Sequence, residues 1–108
     1  MYVSRMSFHS LPGKTHDVEQ ALKTLLDLVT KTAGTQARVL RTHFASLGAP
    51  DVVFEQEAQD LATLESQIQH VTESPEFQQW TTQMSAFLSQ SPKREVYLIV
   101  EPTQPSSG

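Results

Sequence analysis

The chain has 108 residues, 38% of them hydrophobic and 19% charged, with eight basic against twelve acidic side chains and a net charge of −4. That length builds one core, not two. The acidic balance gives no footing for nucleic acid, and the lack of any cysteine excludes disulfides, thiolate metal sites and a cysteine nucleophile.

Tyr2 to His9 alternates, with Tyr2, Ser4, Met6 and Phe8 on one side and Val3, Arg5, Ser7 and His9 on the other. Period two predicts a strand, which Leu11-Pro12-Gly13-Lys14 breaks. Thr15 is the expected N-cap of a helix with Asp17 and Glu19 near its positive end. Val18, Ala21, Leu22, Leu25, Leu26 and Val29 form its apolar face, and Gly34 is the expected stop. Ala37 to Leu47 predicts a second strand with Leu40, Thr42 and Phe44 facing one way, and Val52 to Ala58 a third.

If Gly48-Ala49-Pro50 is the hairpin loop and Leu47 pairs with Asp51, then Phe44 falls opposite Phe54, His43 opposite Glu55, and Arg41 opposite Glu57. Asp60 is the expected cap of a helix carrying Leu61, Leu64, Ile68 and Val71. Ser74-Pro75 restarts it, as serine cap and proline at the first helical position, with Phe77, Trp80, Met84, Phe87 and Leu88 as the new stripe. A last strand, Glu95 to Glu101, alternates Val96, Leu98 and Val100 with Tyr97 and Ile99.

The order β-α-β-β-α-β, with the second helix interrupted, predicts an α+β ferredoxin-like domain over 1–102 and a loose tail over 103–108. One sheet face packs under the helices. The other mixes Val3, Val39, Val53 and Tyr97 with Arg5, Arg41, His43, Glu55 and Glu57, and a second copy packed sheet to sheet would cover it. No apolar run nears the roughly 20 residues of a membrane span, and Met1 to Ser10 does not read as a leader. A cytoplasmic protein without membrane attachment is the expectation.

The opening strand Tyr2 to Phe8, the block Val53 to Trp80 with Ser74-Pro75-Glu76-Phe77-Gln78-Gln79-Trp80, and the closing strand resemble the dimeric α/β-barrel proteins. These include antibiotic biosynthesis monooxygenase-like and NIPSNAP-like proteins. The resemblance implies a homodimer enclosing a barrel. It also implies oxygenation of small aromatic or quinone-like substrates without a prosthetic group, so no cofactor is expected. Haem-degrading relatives carry a histidine and a tryptophan where this chain has Thr81 and Val71, and a first-strand asparagine where it offers Ser4 and Ser7. Haem degradation is therefore disfavoured.

His70, close to the histidine that such monooxygenases carry before the helix restart, is the acid/base candidate, although a boundary histidine on the helix flank next to Val71 is the plainer reading. Trp80 is the candidate wall of an aromatic pocket, although its spacing with Phe77 and Met84 also fits a core position. His9, His43 and Glu55 match no metal-ligand spacing, so no metal is assigned. Arg41, His43, Glu55 and Glu57 are instead expected to form a polar network across the dimer interface that sets sheet-to-sheet register. The alternative to an oxygenase is a non-catalytic dimeric module, stress-associated or holding a small apolar ligand.

Overall fold

The computed structural model describes residues 1–33 and 36–100. Its elements are β1 (Tyr2–Phe8), α1 (Thr15–Ala33), β2 (Ala37–Arg41), β3 (Val52–Ala58), α2 (Leu61–Thr72), α3 (Pro75–Ser85) and β4 (Lys93–Leu98). The four strands form one antiparallel sheet in the order β2-β3-β1-β4, the ferredoxin-like arrangement. The stop expected at Gly34 and the tail expected over 103–108 lie outside the described residues.

Local signals place most boundaries. Asp60 is extended and its side chain accepts from Thr63 N at 2.8 Å, starting α2. Ser74 Oγ accepts from Phe77 N at 3.2 Å, with Pro75 opening α3, so the two helices meet at a capped break. α1 begins one residue away from the expected cap: Val18 N bonds Lys14 O, and the Thr15 hydroxyl lies 2.7 Å from Ser10 Oγ.

The core joins the α1 face (Val18, Leu22, Leu25 and Val29) to Phe8, Val52 and Phe54 of the sheet and to Val71, Trp80 and Met84 of the second helical segment. Burial of such side chains from water contributes roughly 1.5–3 kcal/mol each. Trp80 locks the joint, since its Nε1–H donates to Ala21 O at 2.6 Å and its ring stacks on Phe77 at 5.4 Å. The side parity of β1, β3 and β4 is as read from the sequence.

β2 is not. It ends at Arg41 instead of Leu47, and its register pairs Val39 with Phe54 and Arg38 with Glu55. Relative to the expected register the shift is an odd number of residues, so every β2 side chain changes face. Phe44 therefore does not meet Phe54, His43 does not meet Glu55, and Arg41 does not meet Glu57. Two causes are visible. Asp51, expected to pair with Leu47, is held by β1: its N–H donates to Phe8 O, and its carboxylate accepts from Ser10 N at 2.9 Å. Pro50 has no N–H for a ladder. Residues 42–51 form instead an arm closed by Thr42 N to Asp51 O and turned at Gly48, whose φ of +87° is a glycine conformation.

Phe44, expected beneath the helices, is 91% exposed on this arm. Val96 and Leu98 do lie on the helix side of β4, but both stay exposed; Val100, beyond the strand, is exposed as well.

Candidate functional site

Two regions gather polar and charged side chains beside apolar walls. The first is the gap between sheet and helices. Phe54 and Gln56 of β3, Met6 of β1, Arg94 of β4, Ile68 and Thr72 of α2 and Phe77 of α3 line it. Its open volume is about 10 Å³, the space of a single water. Gln56 is buried in its wall, and its amide donates to Gln67 Oε1 at 3.3 Å.

Arg94 stands at the rim. Its guanidinium Nη2 lies 2.9 Å from Met6 Sδ, and no carboxylate lies within ion-pair distance of it among the described residues. The side chain touches solvent, yet enough protein surrounds the guanidinium for desolvation to lower its pKa from the usual arginine value. Arginine remains charged under such a shift. The gap is thus an apolar slot with one lightly partnered cation at its mouth.

The second region is the open face of the sheet. Glu55, buried in central strand β3, accepts from Arg5 Nε at 2.8 Å and from Arg38 Nε and Nη2 at 2.9 and 2.7 Å; Arg5 Nη2 approaches it to 2.6 Å. Burial, the largest influence, raises the Glu55 pKa. Hydrogen bonds and charge from Arg38 and Arg5 outweigh it, and the net shift is downward. Glu57 lies 3.9 Å from Arg38, and Arg5 also sits over the Tyr97 ring at 5.4 Å. Between this face and the 42–51 arm lies an open cleft of about 490 Å³, with Arg5, Ser7, Tyr97 and Phe44 in its lining.

The residues singled out from the sequence are scattered over these regions. Trp80 is a core residue, 6% exposed, with its indole N–H already used. His70 is exposed on the outer flank of α2, its Nδ1 3.1 Å from Ser66 O, and does not line the gap. Arg41 pairs with Glu19 of α1, Nη2 to Oε2 at 2.8 Å, because the β2 register turns it to the helix side. The hydrogen bond from Arg41 is the leading cause holding the Glu19 carboxyl below its ordinary value. His43 packs edge-on against Phe44 in the arm. Glu55 and Glu57 share Arg38 as a neighbour. His9, His43 and Glu55 do not converge, since His9 is engaged by Gly48 O and Gln90.

Sequence reasoning missed Arg94 and the roles of Arg5 and Arg38. The signal for Arg94 was the alternation of β4: extended back from Val96 by two residues, it puts Arg94 on the helix side. Placing the start of β4 at Glu95 hid it.

No described protein family and no curated protein matches the chain by sequence. Solved structures do match its fold. A NIPSNAP domain protein from Burkholderia xenovorans superposes with a TM-score of 0.72 at 17% identity, covering 95% of this chain and all (100%) of the other. A candidate antibiotic biosynthesis monooxygenase from Nitrosomonas europaea gives 0.68 at 14% identity, with 94% of this chain and 100% of that one covered. A variant of SnoaB, a cofactor-independent oxygenase from Streptomyces nogalater, gives 0.62 at 13% identity over 94% of this chain and 92% of that one. The resemblance read from the sequence is therefore borne out at the level of fold.

Proposed function

We propose that this chain is a small oxygenase, working without a bound cofactor on hydroxyaromatic or quinol-like substrates, and that it assembles as a homodimer. The observation that carries the reading is Arg94, a cation with no carboxylate partner among the described residues, at the mouth of an apolar slot between sheet and helices. The fold shared with SnoaB, described as a cofactor-independent oxygenase, supports it.

A hydroxyaromatic ring is flat and apolar with one weakly acidic edge. Met6, Phe54, Ile68 and Phe77 suit the ring, and a guanidinium suits the ionised hydroxyl. Stabilising the phenolate makes the ring electron-rich enough to reduce oxygen directly. For a hydroquinone the balance is hydroquinone plus O₂ to hydroxyquinone plus water. One oxygen atom enters a ring C–H position and the other leaves as water, and all four electrons come from the substrate. No external reductant is needed. The slot must widen for entry, and Arg94 and Phe77, at the rim and on the shorter helix α3, are the side chains whose movement would widen it.

A second reading, a dimeric module that binds a small apolar ligand without turning it over, is favoured by the narrowness of the slot and by the absence of His70 from its lining. Oxygen uptake with a hydroquinone panel separates the two. Wild type is expected to consume oxygen above the protein-free rate. Arg94→Gln is expected to lower that rate roughly 100-fold, as for loss of a donor to a developing oxyanion, while His70→Ala leaves it unchanged. No uptake by wild type, or full activity in Arg94→Gln, overturns the oxygenase reading; saturable binding without uptake supports the module.

A further inference from the structure

The chain carries three methionines, and the fold gives each a different setting. Met1 is 47% exposed, Met84 is 2% exposed in the core, and Met6 is half-buried in the wall of the slot. A thioether is oxidised to the sulfoxide where an oxidant reaches it, so exposure alone ranks them Met1, Met6, Met84. The surroundings of Met6 change that order. Arg94 Nη2 lies 2.9 Å from Met6 Sδ, and this guanidinium has no carboxylate within ion-pair distance among the described residues. A thioether sulfur is a weak acceptor, and a guanidinium carries five N–H donors. Arg94 therefore keeps donors for a small polar molecule that enters the mouth.

Hydrogen peroxide is such a molecule. A lone pair of Met6 Sδ attacks one peroxide oxygen, so the S–O bond forms as the O–O bond breaks. Sulfur gives up two electrons. The other oxygen leaves as hydroxide and takes the proton from the oxygen now on sulfur, and the products are methionine sulfoxide and water. Negative charge grows on the departing oxygen beside Arg94, where a cation already in place stabilises it. The sulfoxide oxygen is a far stronger acceptor than the sulfur it replaces, which suits it to the same guanidinium. The open volume of the slot is about 10 Å³, the space of one water, and an oxygen fixed on Sδ takes it up.

We propose that Met6 is a site of oxidative modification by hydrogen peroxide, and that its sulfoxide closes the slot by occupying Arg94. The modification stands on the Met6–Arg94 contact alone. The closure rests on the reading of Arg94 as the ligand-binding cation. Peroxide has two sources. One is the solution. The other is the proposed reaction itself, when a hydroquinone passes two electrons to O₂ without gaining oxygen and yields quinone and hydrogen peroxide. Sulfoxide reductases regenerate the thioether, so the closure is reversible.

Trypsin cuts after Arg5, Lys14, Arg41 and Lys93, which leaves each methionine in its own peptide. The folded chain is treated with hydrogen peroxide, and mass spectrometry follows the sulfoxide fraction of each peptide. Met6 is expected to oxidise at least as fast as the more exposed Met1. Met84 is expected to stay reduced, which also reports an intact fold. Arg94→Gln should slow Met6 roughly tenfold with Met1 unchanged, and Arg94→Lys should keep much of the rate. A Met6 slower than Met1, or equally fast in Arg94→Gln, overturns the site.

Closure is read by equilibrium dialysis with 4-nitrophenolate, a coloured hydroxyaromatic anion that oxygen does not attack. Oxidation is expected to weaken its binding roughly tenfold or more, as for loss of a charge-assisted hydrogen bond, and sulfoxide reductase to restore it. In Met6→Leu, peroxide should leave binding at that variant's own untreated level. Unchanged binding by the oxidised protein overturns the closure and leaves the reading of Arg94 standing. A probe that never binds overturns that reading and the closure with it, while the peptide ratios still decide the modification. With hydroquinone in air in place of added peroxide, catalase removes the outside source. Met6 oxidation that persists assigns the oxidant to the slot, and oxidation that stops assigns it to the solution.

Discussion

Replacing Glu55 with glutamine tests the electrostatic centre of the open face. The Glu55 side chain is 3% exposed, and those of Arg5 and Arg38 are 44% and 61% exposed. Breaking a fully buried pair costs about 3–5 kcal/mol, and a surface pair is worth about 0–1. Glu55→Gln falls between these limits. The two arginines can regain water, while the new amide turns an N–H₂ toward one of two guanidinium forks. A loss of about 2 kcal/mol at neutral pH is expected, which a urea slope of about 1–2 kcal/mol per molar turns into a midpoint lower by about 1–2 M.

Trp80, the only tryptophan and nearly buried, is the fluorescent probe, read over a series of protein concentrations so that a change in dimerisation is separated from a change in folding stability. The sign with pH is also set. The folded Glu55 pKa lies below its ordinary value, so its stabilisation is full above the ordinary glutamate range and drains away as pH falls through the folded value. Glutamine does not titrate. The gap between wild type and variant should therefore be constant from about pH 8 to 5 and shrink at lower pH. A gap below about 0.5 kcal/mol at pH 7, or one that persists unchanged into acid, refutes the assignment of this stability to the charge pair.

Two further substitutions probe how the helices are held. Trp80→Phe removes the indole hydrogen bond to Ala21 O along with part of the ring volume, and should cost about 1–3 kcal/mol in denaturation followed by circular dichroism. Ligand binding should be untouched, since Trp80 does not line the slot; weakened binding at unchanged fold would return it to the pocket. Ser74→Ala removes the acceptor for Phe77 N and the donor to Val71 O, and should cost about 1 kcal/mol in thermal melts. A neutral Ser74→Ala would mean that core packing alone positions the α2–α3 break.

The fold was legible where the signal is local. Asp60 and Ser74 cap the helices assigned to them because capping depends on the residue and the next three positions. The periodicities of α1 and of β1 survive because each segment has one face that must leave water. β2 was misread because its register is not a local property. Alternation in 37–47 admits two parities, and Phe44 opposite Phe54 looks as good on paper as Val39 opposite Phe54. The choice lay with groups distant in sequence: Phe8 O and Ser10 N held Asp51, Glu55 took Arg38, and Glu19 of α1 took Arg41.

The candidate site followed the same division. His70 and Trp80 stood out because histidine and tryptophan are chemically conspicuous, yet their orientation is a matter of helix phase. A turn of about 100° per residue separates a pocket wall from solvent, and α2 presents Ile68 and Thr72 to the slot but not His70. Arg94 went unnoticed because an arginine near a strand end is unremarkable until a cavity wall lies beside it.

By itself, the sequence determined the order of elements, their caps, the sides of three strands and the class of fold, since propensity and burial period act within a few residues. Only the tertiary structure decided which face β2 presents and which carboxylate each arginine meets. Those outcomes depend on strands brought side by side from opposite ends of the chain. The spacing within any one of them does not contain the register between them.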